Sequence, residues 1–548
     1  MSRTGSTPTI LALDHGTSGC KVALISVEGE VVDSAYEPTS LILLPGGGAE
    51  QDPEQWWSAF VTATRTLLGR STIPVHCIEA ISVSSTFSST VAVDRGGRAL
   101  MNCLTWLDSR GAPYVKRVVS GFPSLQGYAF PKLLKWIRLT SGIPTLSGKD
   151  DIAHMLLVRH EFPTVYDRTY KFLGSKDYFN LRLTGQFAAS YDSISLFWIT
   201  DIRDIHRVHY DDSLIRLLEI DREMLPELKG STEVLGTLQP TAARELGLPE
   251  SVQVVMGAPD HQCALVGSGA VRDFEGHCYI GTSSWIECLV PFKKTDILHS
   301  VASIPSAIPG RYQCINEQDV AGGCLSFFLE NVLFRPSRLS PGTLPAGAYR
   351  LADEVAASVP AGSHGVLLTP WLNGERTPVD NTTLRGGFYN LSLATTVEDM
   401  LRAVYEGVAY NTRWSMGYVE KFTGRPFEAL TLVGGGAQSD VWCQILADVL
   451  NRPIRQAVDP IHANARGAAL LAAMGLGHLR FEDVPSLVRH RQVYEPDRLH
   501  RALYDELYGE FLELYRRNRG IFARLNRPQP PAGVQASLRQ LKRHTSNP

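Results

Sequence analysis

Thr9-Ile10-Leu11-Ala12-Leu13-Asp14-His15-Gly16-Thr17-Ser18-Gly19 runs from an apolar segment into a small polar turn, and Lys21-Val22-Ala23-Leu24-Ile25 is apolar again. Two apolar arms around Gly16-Thr17-Ser18 predict a β-hairpin. Its tip offers backbone N–H groups and hydroxyls with little side-chain bulk, which suits a phosphate, although a plain polar turn satisfies the same residues. Asp14, at the end of the first arm, is an oxygen ligand of the kind Mg²⁺ takes, directly or through water. The pattern returns at Gly276-His277-Cys278-Tyr279-Ile280-Gly281-Thr282-Ser283-Ser284-Trp285-Ile286-Glu287-Cys288. Two hairpins with Gly-Thr-Ser tips, one in each half, predict an internal duplication.

Between them lies Gly257-Ala258-Pro259-Asp260-His261-Gln262-Cys263-Ala264. The preceding residues, 253–256, read as a buried strand, and 261–268 read as a helix. Strand, tight turn and helix put the Asp260 carboxylate at a sheet edge beside free helix N–H groups. Asp260 serves either as a helix cap or as a reacting group there.

The totals are those of an ordinary globular chain. Its 548 residues exceed one core, so two large domains are expected. Net charge is −3, which provides no basic field for nucleic acid or an anionic membrane. The nine cysteines are scattered without metal-ligand spacing, which predicts reduced thiols in a cytoplasmic protein. The first nine residues lack the apolar core of a secretory signal, and no run of about 18 apolar residues predicts a membrane span.

Further segments supply candidate contacts. Asp52-Pro53 opens a helix whose Trp56-Trp57 pair belongs in a core. Trp106-Leu107-Asp108-Ser109-Arg110 follows a short strand. An aromatic face with an acid and a guanidinium suits a sugar, and a local Asp–Arg pair over a core Trp fits equally. Residues 125–230 read as largely helical, 334–350 as a loop, and 370–378 as another loop. Val397–Val419 predicts a long amphipathic helix. Leu430–Val433 runs into Gly434-Gly435-Gly436-Ala437-Gln438-Ser439 and then a helix, a turn that brings backbone close to a flat or phosphorylated ligand. The Pro-rich tail, 526–548, is expected to be disordered.

In this order the segments LALDHGTSGCKVALI, EQDPEQWW, LTWLDSR, LGSKDYFNLRLTG, GAPDHQCALVGSGA, IGTSSWIE, PWLNGERTP, RAVYEGVAYNTR, LVGGGAQSDVWCQILADVLNRPI and ARGAALLAA carry a resemblance. Over about residues 9–475 the chain resembles the FGGY carbohydrate kinases, and most of all their xylulokinase-like branch. The resemblance implies a two-domain α/β fold of the actin/hexokinase (ribonuclease H-like) type, with ATP and sugar in the interdomain cleft. It implies domains at 9–256, on the sugar side, and 257–525, on the nucleotide side. It implies Asp260 as general base and Asp14 as the metal-side acid. Gly16, Thr17 and Ser18 match the first phosphate turn; Gly281 and Thr282 match the second. Gly435, Gly436 and Ser439 match the adenosine-binding turn, and Trp106 and Asp108 lie near the sugar. The implied cofactors are ATP and Mg²⁺, and a homodimer is the family-level expectation.

The chain departs from the pattern around the sugar. Xylulokinases usually carry Gln-Met-His-Gly where Thr86-Phe87-Ser88-Ser89 stands here, and Asn often follows the catalytic Asp where this chain has His261. Thr86, Ser88 and His261 thus become candidate substrate contacts. The expectation is phosphorylation of a ketopentose such as xylulose. A kinase for another polyol or a sugar acid, and a non-catalytic sugar sensor on the same fold, are the alternatives.

Overall fold

A computed structural model describes residues 8–337 and 342–526. Strands β1 (Thr9–Gly16), β2 (Gly19–Ser26), β3 (Val31–Pro38), β4 (Ile78–Ser85), β5 (Val234–Thr237) and β6 (Gln253–Pro259) form one sheet, ordered β5-β6-β4-β1-β2-β3. β1, β4 and β6 run parallel, and the others are antiparallel to their neighbours. Alternate residues of β1 serve different cores. Leu11 and Leu13 pack with Trp56 and Phe60 on one face, while Ile10 and Ala12 pack with Ala468 and Leu471 on the other. A strand covered on both faces reads as a continuous apolar run, as this one does.

The second half repeats the plan. Strands β7 (Gly276–Ile280), β8 (Ser284–Val290), β9 (Thr295–Asp296), β10 (Val301–Pro305), β11 (Tyr312–Ile315), β12 (Leu430–Val433), β13 (Ile454–Ala457) and β14 (His490–Tyr494) form a sheet ordered β9-β10-β11-β8-β7-β12-β13-β14. β7, β12 and β13 are the parallel trio, and β8, β11 and β14 run against their neighbours. Six strands thus match in order and direction, β14-β13-β12-β7-β8-β11 against β5-β6-β4-β1-β2-β3. The duplication predicted from the two Gly-Thr-Ser tips is present in the topology.

Each trio feeds a helix into the junction. Helix α1 (Asp260–Gly267) follows β6, and helix α4 (Ala463–Gly475) follows β13; between these two in sequence lie α2 (Val397–Thr423) and α3 (Asp440–Leu450). A Cβ on Gly267 would stand 1.9 Å from the Ala463 carbonyl oxygen, and one on Gly467 would stand 1.9 Å from that of Cys263. The helices cross backbone to backbone, which only glycine at both positions permits. The strand carrying Gly257–Pro259 lies wholly in the first sheet, so the division expected after residue 256 falls inside β6.

Residues 125–230 are more mixed than expected. Helices Phe130–Thr140, Asp151–Glu161 and Ser175–Thr184 alternate with strands Lys171–Leu173, Ala188–Ser190 and Glu227–Lys229. Three-residue strands are too short to show a period of two. A further helix, Ala348–Ser358, begins inside the stretch expected as a loop, while residues 338–341 lie outside the described residues. So do residues 527–548, nearly all of the tail expected to be disordered. All nine cysteines are free thiols, eight of them buried. Among the described residues no helix is long and apolar enough to cross a membrane.

Candidate active site

Parallel strands that end together bring distant residues to one edge. Asp14 pairs in register with Ser84, and Ser84 with Ala258, so Asp14 and Asp260 emerge from the same edge of the first sheet. Asp260 is the first residue of α1, not its cap. The cap position is Pro259, and the Asp260 carboxylate accepts the next N–H, that of His261, at 2.8 Å. Burial pushes the Asp260 carboxyl up to about 7, helped by the negative charges of Asp14 and Glu317 and opposed by His261. A carboxyl poised there exchanges a proton near neutral pH.

His261 is buried and turns toward the second domain. Its Nδ1 lies 3.1 Å from the Gln313 side-chain amide and 3.5 Å from the Glu287 carboxylate, and the Phe87 ring packs 4.7 Å from it. Burial lowers the imidazole pKa and raises that of Glu287. His261 Nε2 is buried without a partner.

The first Gly-Thr-Ser tip is a two-residue turn closed by the Gly16–Gly19 pair. Thr17 is held by two side chains of the first half: Trp106 Nε1 donates to its Oγ1 at 3.0 Å, and Gln51 donates to its carbonyl at 2.8 Å. Asp14 faces Lys21 at 3.6 Å and accepts from Asn464 of the second domain at 3.3 Å; Asn464 Oδ1 is buried and unpartnered. The second tip is a three-residue turn, with Ile280 paired to Ser284. The Thr282 carbonyl accepts from Ala321 and Gly323 N–H, and Gly281 accepts from Gly322, while the Thr282 side chain is exposed.

The glycine-rich turn 434–439 follows β12, beside the second tip. A Cβ on Gly436 would stand 2.5 Å from the Ile280 side chain, whereas Gly435 is exposed with open space beside it. The pair lets the turn lie flat on the end of β7 and leaves a backbone face free. Ser439 caps α3: its hydroxyl accepts from Trp442 N–H at 3.1 Å and donates to Asp353 at 2.7 Å.

Thr86 and Ser88 follow β4. Ser88 adopts φ +61° and donates to the Lys149 carbonyl at 2.6 Å, and Thr86 N–H donates to the His15 carbonyl at 3.0 Å. Asp108 is fully buried. Its carboxylate accepts from Ala49 N–H at 3.0 Å and from Arg110, whose Nη2 lies 2.6 Å away. Asp108 and Arg110 form the local pair that one reading of this segment expects, but Trp106 is not in a core. Trp106 is half-buried, with its ring under a guanidinium that sequence reasoning did not single out, that of Arg376, 5.6 Å from the centroid. Arg376 comes from the 370–378 loop and pairs with Glu317 and Asp319 at 2.5 Å each. The Asn373-Gly374-Glu375-Arg376-Thr377-Pro378 motif was the available signal, but its partners lie nearly sixty residues upstream.

The arrangement sets a near-neutral carboxyl at the sheet edge beside hydroxyl-bearing turns from both halves and a Trp–Arg pair. The model of the N-terminal domain of the FGGY family of carbohydrate kinases matches residues 9–267, and that of the C-terminal domain matches 276–476. A xylulose kinase of Staphylococcus epidermidis is 27% identical over 534 residues, covering 94% of this chain and 98% of its own. A gluconokinase of Bacillus subtilis is 26% identical, covering 91% and 94%. The crystal structure of a xylulose kinase from Rhodospirillum rubrum matches with a TM-score of 0.77 at 27% identity, over 94% of this chain and 99% of that one. With the family's two domains matched over most of its length, this chain belongs to the FGGY family of carbohydrate kinases.

Proposed function

We propose that this sugar kinase transfers the γ-phosphoryl of ATP to a hydroxyl of a small neutral sugar, a ketopentose such as xylulose, with Asp260 as general base. The observation that carries this reading is Asp260 itself, a carboxyl with a pKa of about 7 at the start of α1, between the two halves. Hydroxyl phosphorylation needs an in-line hydroxyl, neutralised γ-phosphoryl charge and a proton acceptor. Asp260 orients the hydroxyl and takes its proton late in the transfer. N–H groups at the start of α1 and at both Gly-Thr-Ser tips hold phosphoryl oxygens. Gly435 and Gly436 give adenosine a flat backbone surface, and Ser439 fixes that turn by capping α3. Trp106 covers the apolar face of the sugar, beside Thr86, Ser88 and His261, while Asp108 holds the Trp106 segment through Arg110. Closure of the halves about the α1–α4 crossing excludes water and limits ATP hydrolysis.

Mg²⁺ fits this donor set: the Asp14 carboxylate and the unpartnered Asn464 Oδ1 are hard oxygen donors. When bound, the ion neutralises phosphate charge.

The gluconokinase among the relatives makes a sugar acid the competing acceptor. A coupled ADP-release screen over ketoses, polyols and aldonates tests the reading. Sugar-dependent ADP release led by a ketopentose supports it; ATP binding with no release across the panel would return the chain to the sugar-sensor alternative.

A further inference from the structure

Arg376 carries a donor with nothing to donate to. Its Nε binds Asp319 and its Nη1 binds Glu317, yet Nη2 is buried without a partner. The side chain is not there by default. The buried Glu375 carboxylate accepts both Asp319 N–H, at 3.1 Å, and Arg376 N–H, at 2.9 Å, and is itself bound by Asn411. Two carboxylates therefore fix the guanidinium over the Trp106 ring, with the backbone held by Glu375, and one N–H edge is left over. A buried charged donor without a partner is costly, and such groups find a partner in the working state.

We propose that Arg376 is a substrate-binding, specificity-determining residue, and that its free Nη2 donates to a hydroxyl of a neutral acceptor sugar packed at the edge of Trp106. The inference rests on the kinase reading and adds to it a residue from the opposite domain. The surrounding charge selects the class of acceptor. Asp260, Glu317, Asp319 and Asp380 are carboxylates that act on one another or on Arg376 and Lys149, the two cations of the set. Arg376 already has two carboxylates. A third, on an aldonate, gains little from it and is repelled by the rest. A hydroxyl gives up little on desolvation and can accept from Nη2 while donating to a carboxylate. The Trp–Arg pair therefore binds a ketose or polyol and rejects a sugar acid.

Kinetics and calorimetry with D-xylulose and D-gluconate on wild type, Arg376→Met and Arg376→Lys test this. The expected result is tighter binding of the neutral sugar by wild type. In Arg376→Met its KM and Kd should rise about ten- to a hundredfold, with a smaller rise in Arg376→Lys and KM for ATP moving less than twofold. Glu317→Gln, which frees the cation, should raise the gluconate-to-xylulose ratio of kcat/KM. Should Arg376→Met not fold, the Arg376→Lys split between sugar and ATP decides. Neutral-sugar binding within twofold of wild type in the folded Arg variants, or a wild-type preference for gluconate, overturns the inference. Sugar binding that needs Arg376 but is never followed by ADP release counts against the kinase reading alone.

Discussion

The two Gly-Thr-Ser hairpins occupy equivalent places in two sheets of the same strand order, yet they are wired differently. In the first, the side chain is engaged: Thr17 Oγ1 accepts the Trp106 indole N–H, so the turn proposed for phosphate and the ring proposed for the sugar share one hydrogen bond. In the second, the backbone is engaged: the Thr282 carbonyl takes two N–H groups from residues 321–323, and its side chain is exposed. Duplication supplied two similar turns, and the contacts around each now differ; on the function proposed, the first would report to the sugar and the second would serve the nucleotide alone. Asp260 stands between them, at the end of the first sheet's trio and the start of the helix that crosses into the second half.

The strongest test of that division removes the group both hairpins serve. Asp260→Asn should lower kcat by at least about a hundredfold, read by ADP release at saturating sugar and ATP. In the wild type, kcat/KM should fall as pH drops below about 7, because the base is then protonated. Stability should move the other way. A folded pKa raised above the ordinary ~3.9 means the stabilising contribution is full below ~3.9 and is lost as pH rises through about 7. Thermal melts should therefore show Asp260→Asn gaining on wild type across that window; equal melting temperatures at pH 5 and pH 8 would remove the basis for a raised pKa.

A second test acts on the crossing that joins the halves. Gly467→Ala places a methyl on the Cys263 carbonyl, and overpacking of this kind costs roughly 1–3 kcal/mol. A fall in Tm of about 1–3 °C is expected. Unchanged melting would mean that the helices separate without cost.

Much of this could be read from residue order because its determinants are local. A Gly-Thr-Ser tip between two apolar arms is complete within about fifteen residues, and so is the strand–turn–helix around Asp260. The cap role suggested for Asp260 failed by one position, since a carboxylate at the first helical residue and one at the cap look alike in sequence. The Trp106–Arg110 segment left two readings open, because whether Arg110 turns back on Asp108 depends on Glu50 and Ala49, some sixty residues away. Arg376 was missed for the same reason. A loop arginine is unremarkable until Glu317, Asp319 and Trp106 are brought to it by two other parts of the chain. Residues 125–230 misled through size, since a three-residue strand leaves no periodic trace.

The finest test asks whether the hairpins differ in wiring or only in position. Thr17→Val keeps shape but removes the acceptor of Trp106 Nε1. It should raise KM for both sugar and ATP, about three- to tenfold each, a loss of roughly 1 kcal/mol per neutral hydrogen bond. Thr282→Val has no such partner to lose and should raise KM for ATP alone. Trp106→Phe completes the comparison. It retains an aromatic face under Arg376 but frees the Thr17 hydroxyl, so sugar KM should rise by about threefold while KM for ATP holds or falls. If Thr17→Val and Thr282→Val gave the same pattern, the Trp106–Thr17 bond would be packing without consequence. If Trp106→Phe reproduced the sugar defect of Thr17→Val without its ATP defect, the one hydroxyl would be serving two ligands, a duty that its counterpart in the second sheet lacks.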